Sequence, residues 1–269
     1  MQSAVEKLRK YRDENYRLHD KVIELWKDTL SKHNLSSLGD EKWLILEQVF
    51  KSALHCSQQQ IAIDCLEQLT KQFKSTSHRV SVLEAMYYES IDEYNKAEEI
   101  YSKLLQHNET DAIIHKRKIC LLKEQNKISE AISELNSYLE LYQIDQEAWS
   151  ELCDLYLSEH DYAKAAFCAE ELILINPHNH LNHERYASIC YSQGDYEKAR
   201  TYYFSTIKFN PNNMRALYGI LLTSINMKTR TTIENHNKII MEQILQKYKE
   251  TMPELLPFVD KALQNLISS

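Results

Sequence analysis

The sequence predicts an all-α protein, a right-handed superhelical solenoid of antiparallel helix pairs. Three observations carry this. Glycine and proline number only 3 and 4 in 269 residues, too few for the many turns of a sheet protein. Four short segments align: Glu93-Tyr94-Asn95-Lys96-Ala97, Lys127-Ile128-Ser129-Glu130-Ala131, Asp161-Tyr162-Ala163-Lys164-Ala165 and Asp195-Tyr196-Glu197-Lys198-Ala199. Their alanines recur every 34 residues, the period of a tetratricopeptide repeat, two helices and a turn. Many of the seventeen tyrosines fall at fixed places in that frame.

The chain reads as one solenoid domain over residues 1–269. Residues 1–40 give an N-terminal helix and loop. Ser3-x-x-Glu6 offers a capping box, Val5, Leu8, Tyr11, Leu18, Val22, Leu25 and Trp26 follow at roughly helical spacing, and Asn34 to Asp40 is a loop around Gly39. Residues 41–77 form a degenerate repeat, with Trp43, Leu46, Phe50 and Ala53 on one helix and Ala62, Leu66, Leu69 and Phe73 on the next.

Residues 78–213 hold four 34-residue repeats. Ala97, Ala131, Ala165 and Ala199 stand where the second helix must approach the first closely and only a methyl group fits. Large aromatics such as Trp149 and Tyr156 are expected to wedge between repeats and bury area that one pair cannot bury alone. Pro177 and Pro211 end the second helices of their repeats, because the residue before proline is pushed out of the helical region. Residues 214–269 make a C-terminal repeat and capping helices. These comprise a first helix near Asn212–Met227, a polar turn at Lys228–Thr232, a helix at Ile233–Glu250 with Ile240, Ile244 and Tyr248 on one side, and a last helix near Pro253 and Pro257. That last helix carries Leu256, Val259, Leu263 and Leu266.

Composition narrows the function. A net charge of −7 argues against a nucleic-acid binder, which needs a basic face. No signal peptide and no apolar span of membrane length are read. The six cysteines are scattered without a CxxC, as expected of packed, reduced thiols in the cytosol. Three isolated glycines build no phosphate loop, and neither HExxH nor GxSxG occurs. No catalytic, cofactor-binding or metal-binding residue is therefore assigned. His178, His180 and His183 have a spacing that could hold a metal, but they fall on an inter-repeat turn where polar residues are expected.

The candidate partner-binding residues lie on first helices, which line the concave groove of such solenoids: Lys116, Arg117, Lys118, Glu147, Ser150, Asp154 and Glu184. The basic spot in His115-Lys116-Arg117-Lys118 could meet an acidic segment or lipid head groups.

One stretch is more specific than a generic repeat. It is Asp145-Gln146-Glu147-Ala148-Trp149, continuing through Asp161-Tyr162-Ala163-Lys164-Ala165-Ala166-Phe167-Cys168 to Asn176-Pro177-His178-Asn179-His180. Together with Lys116-Arg117-Lys118-Ile119, Asn213-Met214-Arg215-Ala216-Leu217 and Ser77-His78-Arg79-Val80, it resembles the family of endoplasmic reticulum (ER) membrane protein complex subunit 2. The likeness runs from about residue 41 to 218, and the two ends match only in helical character.

The resemblance implies a non-catalytic scaffold, peripheral on the cytoplasmic face of the ER membrane and soluble when free. Its implied partners are the membrane-embedded and cytosolic subunits of that complex, with client transmembrane segments held transiently. Its implied role is support for the insertion of tail-anchored and multipass proteins. A scaffold of this kind is expected to expose apolar patches when alone.

The alternative is a soluble tetratricopeptide cochaperone or adaptor gripping acidic chaperone tails. That family pairs a lysine at the fifth position of a repeat with an asparagine at the ninth. Here the fifth positions are Val82, Lys116, Ser150 and Glu184, and the ninth are Met86, Cys120, Asp154 and Ser188. No repeat carries the pair, and Asp154 and Glu184 would repel a carboxylate. An enzyme built on a solenoid is the third reading, and no motif supports it.

Overall fold

A computed structural model describes residues 1–74, 77–227 and 233–268. Those residues form fifteen α-helices and short 3-10 turns, with no strand among them. They divide into two compact units, Met1–Lys127 and Ile128–Ser269.

The first unit holds α1 (Gln2–Asp13), α2 (His19–Asp28), α3 (Glu41–His55), α4 (Gln59–Phe73), α5 (His78–Ser90), α6 (Tyr94–His107) and α7 (Ala112–Glu124). The expected single N-terminal helix is two, because Asn15 takes a left-handed conformation (φ 51°) and ends α1. The capping box is not formed. Helix α1 already begins at Gln2, so Ser3 lies inside its first turn, and no side chain caps it. In the loop before α3, a 3-10 turn at Leu35–Leu38 is capped by the Asn34 side chain. Ile45, Leu46, Val49, Phe50 and Ala53 of α3 are buried with Ala62, Cys65 and Leu69 of α4 in one core shared with α1, α2 and α5. Phe73 is exposed, its ring 5.3 Å edge-on to Trp43.

The second unit holds α8 (Ile128–Leu141), α9 (Gln146–Ser158), α10 (Tyr162–Ile175), α11 (His180–Gln193), α12 (Tyr196–Phe209), α13 (Met214–Asn226), α14 (Ile233–Thr251) and α15 (Leu256–Ser268). Helix α9 packs on α10, α11 on α10 and α12, and α13 on α12. Ile240 and Ile244 of α14 are buried, and the Tyr248 and Tyr218 hydroxyls meet at 3.4 Å. Lys228–Thr232 and the side chain of Leu266 lie outside the described residues.

The repeat frame has a local cause at three points. Ala97, Ala131, Ala165 and Ala199 are fully buried, and at one of them the Cys153 thiol donates to the Ala165 carbonyl at 3.4 Å. The last residue of each 34-residue frame caps the next first helix. Asp111, Asp145, Asn179 and Asn213 each accept from one or two backbone N–H groups of the first turn, a cap worth about 1 kcal/mol. Between the two helices of each pair, Asp92, Asn126, His160 and Gly194 have φ of 60°, 57°, 58° and 84°. The next residue's N–H then reaches back five residues, as from Asp161 to Tyr156 and from Asp195 to Cys190. This left-handed stop satisfies an orphan carbonyl. Glycine adopts it without a steric cost and Asn or Asp with a small one.

Candidate partner-binding site

Each unit has a depression along its first helices. In the first unit it is lined by Glu89, Asp92, Tyr94, Ile113, Lys116, Arg117, Cys120, Leu121 and Glu124. Lys116 and Arg117 are brought together there, and Lys118 is not among the lining residues.

Arg117 is committed to an internal network: its Nη1 donates to Glu89 Oε2 at 3.0 Å. Glu89 Oε1 accepts the hydroxyl of fully buried Tyr101 at 2.7 Å. Burial, reinforced by the Glu89 charge, pushes the Tyr101 phenol far above its ordinary range. The network joins α5, α6 and α7, so the positive spot read at 116–118 is partly neutralised from within.

In the second unit the depression is lined by Asp154, Leu157, Leu181, Glu184, Arg185, Ser188, Ile189, Ser192 and Arg215. Arg185 organises it. Its Nη1 donates to the Ser150 hydroxyl at 2.9 Å and the Ser150 carbonyl at 3.1 Å, and it lies 3.3 Å from an Asp154 carboxylate oxygen. Glu184 is buried and accepts from Ser188 Oγ at 3.1 Å. Ser188 in turn meets the Tyr203 hydroxyl at 3.1 Å. The structure thus brings Ser150, Asp154 and Glu184 into one neighbourhood. Glu147 is exposed in the first turn of α9, where its N–H is held by the Asp145 cap, and is not among the residues lining the depression.

Arg185 is the residue that the sequence reading missed. A signal was present: Arg117 and Arg185 both stand sixth in their repeats, and each reaches back to the preceding first helix. Ile113 and Leu181 stand second in theirs, line the two depressions, and are 66 % and 55 % exposed. Both grooves therefore present an exposed apolar side chain near a fixed guanidinium. Such a surface can hold a peptide segment by apolar contact and charge.

Burial pushes the Cys65 and Cys168 thiols up to about 12 and raises those of Cys153 and Cys190, the opposite of a nucleophile's environment. His178 and His183 both pack against the Phe209 ring, 5.5 and 5.2 Å between centroids, and the ring nitrogens of His180 and His183 meet separate partners. His178 is edge-on to Phe209, His180 meets Asn210 and Asn213, and His183 Nε2 lies 2.7 Å from the Pro177 carbonyl. Among the described residues, no three His, Cys, Asp or Glu groups converge as a metal would require.

Trp149 is half-buried rather than a full wedge, with its Nε1 donating to the Gln143 carbonyl at 2.8 Å. Tyr156, by contrast, is buried as expected. Helices α10 and α12 end at Ile175 and Phe209, two residues before Pro177 and Pro211.

Comparison with known proteins bears on this geometry. A family model described as the EMC2 TPR-like repeat domain matches residues 61–200. ER membrane protein complex subunit 2-A of Xenopus laevis is 45 % identical over 225 residues, covering 82 % of this chain and 75 % of that protein. ER membrane protein complex subunit 2 of Dictyostelium discoideum is 32 % identical over 192 residues, covering 66 % and 60 %. Among solved structures, the C-terminal part of a TPR repeat-containing protein from Cytophaga hutchinsonii superposes with a TM-score of 0.62 at 12 % identity, covering 88 % of this chain and 94 % of that one. Pseudomonas aeruginosa pilF gives 0.51 at 19 % identity, covering 80 % and 93 %. These two structures establish the fold.

Proposed function

The chain belongs to the family of ER membrane protein complex subunit 2, and from that premise we propose that it is a non-catalytic scaffold subunit of such a complex. It is held peripherally on the cytoplasmic face of the ER membrane. It ties membrane-embedded subunits to cytosolic ones and so supports the insertion of tail-anchored and multipass proteins. Client segments meet it only in passing.

The observation that carries this reading is the 45 % identity across 82 % of the chain, far beyond what a shared repeat alone produces. Two further observations support it. No helix among the described residues is long and apolar enough to cross a membrane. Both grooves expose an apolar side chain beside an anchored arginine, which suits the capture of partner segments. Lys116, Arg117, Ser150, Asp154 and Glu184 are the contacts proposed for those segments, with Arg185 added from the structure.

Affinity purification of the tagged chain from detergent-solubilised membranes tests the assignment. A stoichiometric set of ER membrane protein complex subunits is expected. Chaperones alone, or a free monomer, would overturn it. Orientation has its own readout: Asn34-Leu35-Ser36 and Asn108-Glu109-Thr110 are glycosylation acceptors on exposed turns. On the cytoplasmic face both stay unmodified, whereas an endoglycosidase-sensitive shift in mobility would place the chain in the lumen.

A further inference from the structure

The four regular repeats allow a comparison inside one chain, because equivalent positions share a local environment. The outward row of a second helix consists of the eighteenth, twenty-second and twenty-ninth repeat positions. In the repeat that begins at residue 78 these are Asn95, Glu99 and Gln106. In the next they are Ser129, Ser133 and Glu140, and in the last Glu197, Thr201 and Lys208; all nine are exposed and polar. In α10 the same positions hold Ala163, Phe167 and Leu174, also exposed. Phe167 is 54 % and Leu174 71 % exposed.

Single exposed apolar residues are ordinary. Here three replace polar residues in register, four and then seven residues apart, on one helix face about 16 Å long. The Phe167 ring is fixed outward by an edge-to-face contact with Trp149, 5.9 Å between centroids. Trp149 in turn is tied to the carbonyl of Gln143, next to Ile144, which is 85 % exposed. Among the described residues of the second unit, none covers this row.

We propose that the outer face of α10 seats an amphipathic helix of another protein chain. That helix carries apolar residues at i, i+3 or i+4, and i+7, with a lysine or arginine facing Glu170. The charge on the face selects this occupant. Glu170 sits within the row, held by the Tyr186 hydroxyl, and Glu171 is beside it. Lys164, the one cation of α10, is paired with Asp161 at 2.9 Å. A membrane surface with anionic lipids is disfavoured by that balance. A second copy of this chain, docked face to face, would gather two Glu170–Glu171 pairs into one interface. The surface is separate from the grooves, which lie on first helices, so the proposal stands apart from the groove contacts given above.

Photo-crosslinking in the assembled complex tests it. Benzoylphenylalanine is placed in the full-length chain at 167 or 174, and at the equivalent Ser133 and Thr201 as controls. Positions 167 and 174 are expected to cross-link to one helical segment of a co-purifying protein, with Ser133 and Thr201 silent. Phe167→Thr and Leu174→Lys install the residues of the following repeat. Leu174→Lys should leave the melting temperature unchanged, Phe167→Thr should lower it only by the lost Trp149 contact, and each should weaken retention of the cross-linked partner at least about tenfold. Cross-links no stronger than the controls, cross-links to lipid or to the same chain, or a lowered melting temperature in both variants would overturn the proposal.

Discussion

Arg117 and Arg185 stand at the same repeat position, one in each unit, and the chain uses them differently. Arg117 reaches Glu89, whose other oxygen takes the hydroxyl of fully buried Tyr101. Arg185 reaches the carbonyl and hydroxyl of Ser150 and faces an Asp154 carboxylate that is 61 % exposed. The first arginine, 32 % exposed, closes a half-buried polar network on Glu89 and buried Tyr101, where a lost partner leaves another unsatisfied. The second, 31 % exposed, differs in its carboxylate partner, which stands in solvent that replaces most of what is lost there. A repeat position fixes where a side chain points, and the neighbours it meets fix what it does. The sixth position of the next frame makes the same point by omission. It is Gly219, and a Cβ there would stand 2.5 to 2.7 Å from ring carbons of Tyr203.

The comparison can be broken most forcefully at Tyr101. Tyr101→Ala empties the site on which Glu89 and Arg117 are set and is expected to cost about 3–5 kcal/mol by denaturant unfolding. A loss below 1 kcal/mol would mean that the network does not organise the first unit. Gly219→Val should cost about 1–3 kcal/mol by overpacking. Tyr203 is buried and held by Ser188, so its ring has little room to yield.

Alkali sharpens the contrast further. The unfolded Tyr101 phenol ionises near pH 10, while the folded one keeps its proton well above that. Its contribution is full below about pH 10 and is lost as the pH rises beyond. Tyr101→Phe should make the alkaline fall in stability shallower by about 1.4 kcal/mol per pH unit, and an unchanged slope would refute the buried phenol.

The smallest effects test the two arginine sites directly. Glu89→Gln is expected to cost about 1–2 kcal/mol, and Asp154→Asn less than about 0.5 kcal/mol. Thermal melts of both variants would reverse the interpretation if Asp154 proved the more costly.

The sequence alone determined the fold. A 34-residue recurrence of Ala97, Ala131, Ala165 and Ala199 demands close helix pairs, because periodic small residues can serve only one packing. Pro177 and Pro211 marked helix ends because proline acts locally. The family likeness was also legible, carried by the specific run around Trp149 and Asn176-Pro177-His178.

Other features needed tertiary structure. The left-handed stops at Asp92, Asn126 and His160 were hidden because Gly194 advertises that conformation plainly, and Asn, Asp and His only weakly. Arg185 went unread because its partners Ser150 and Asp154 lie a full repeat away and meet it only when first helices stack. Glu184 looked like an exposed repulsive charge and is buried against Ser188. The apolar row on α10 is invisible in composition, since Ala163, Phe167 and Leu174 resemble core residues until burial shows which way they face. Periodicity encodes which helices must pair. Whether a given side chain then meets solvent, a neighbour or another chain depends on contacts made by residues far apart along the sequence.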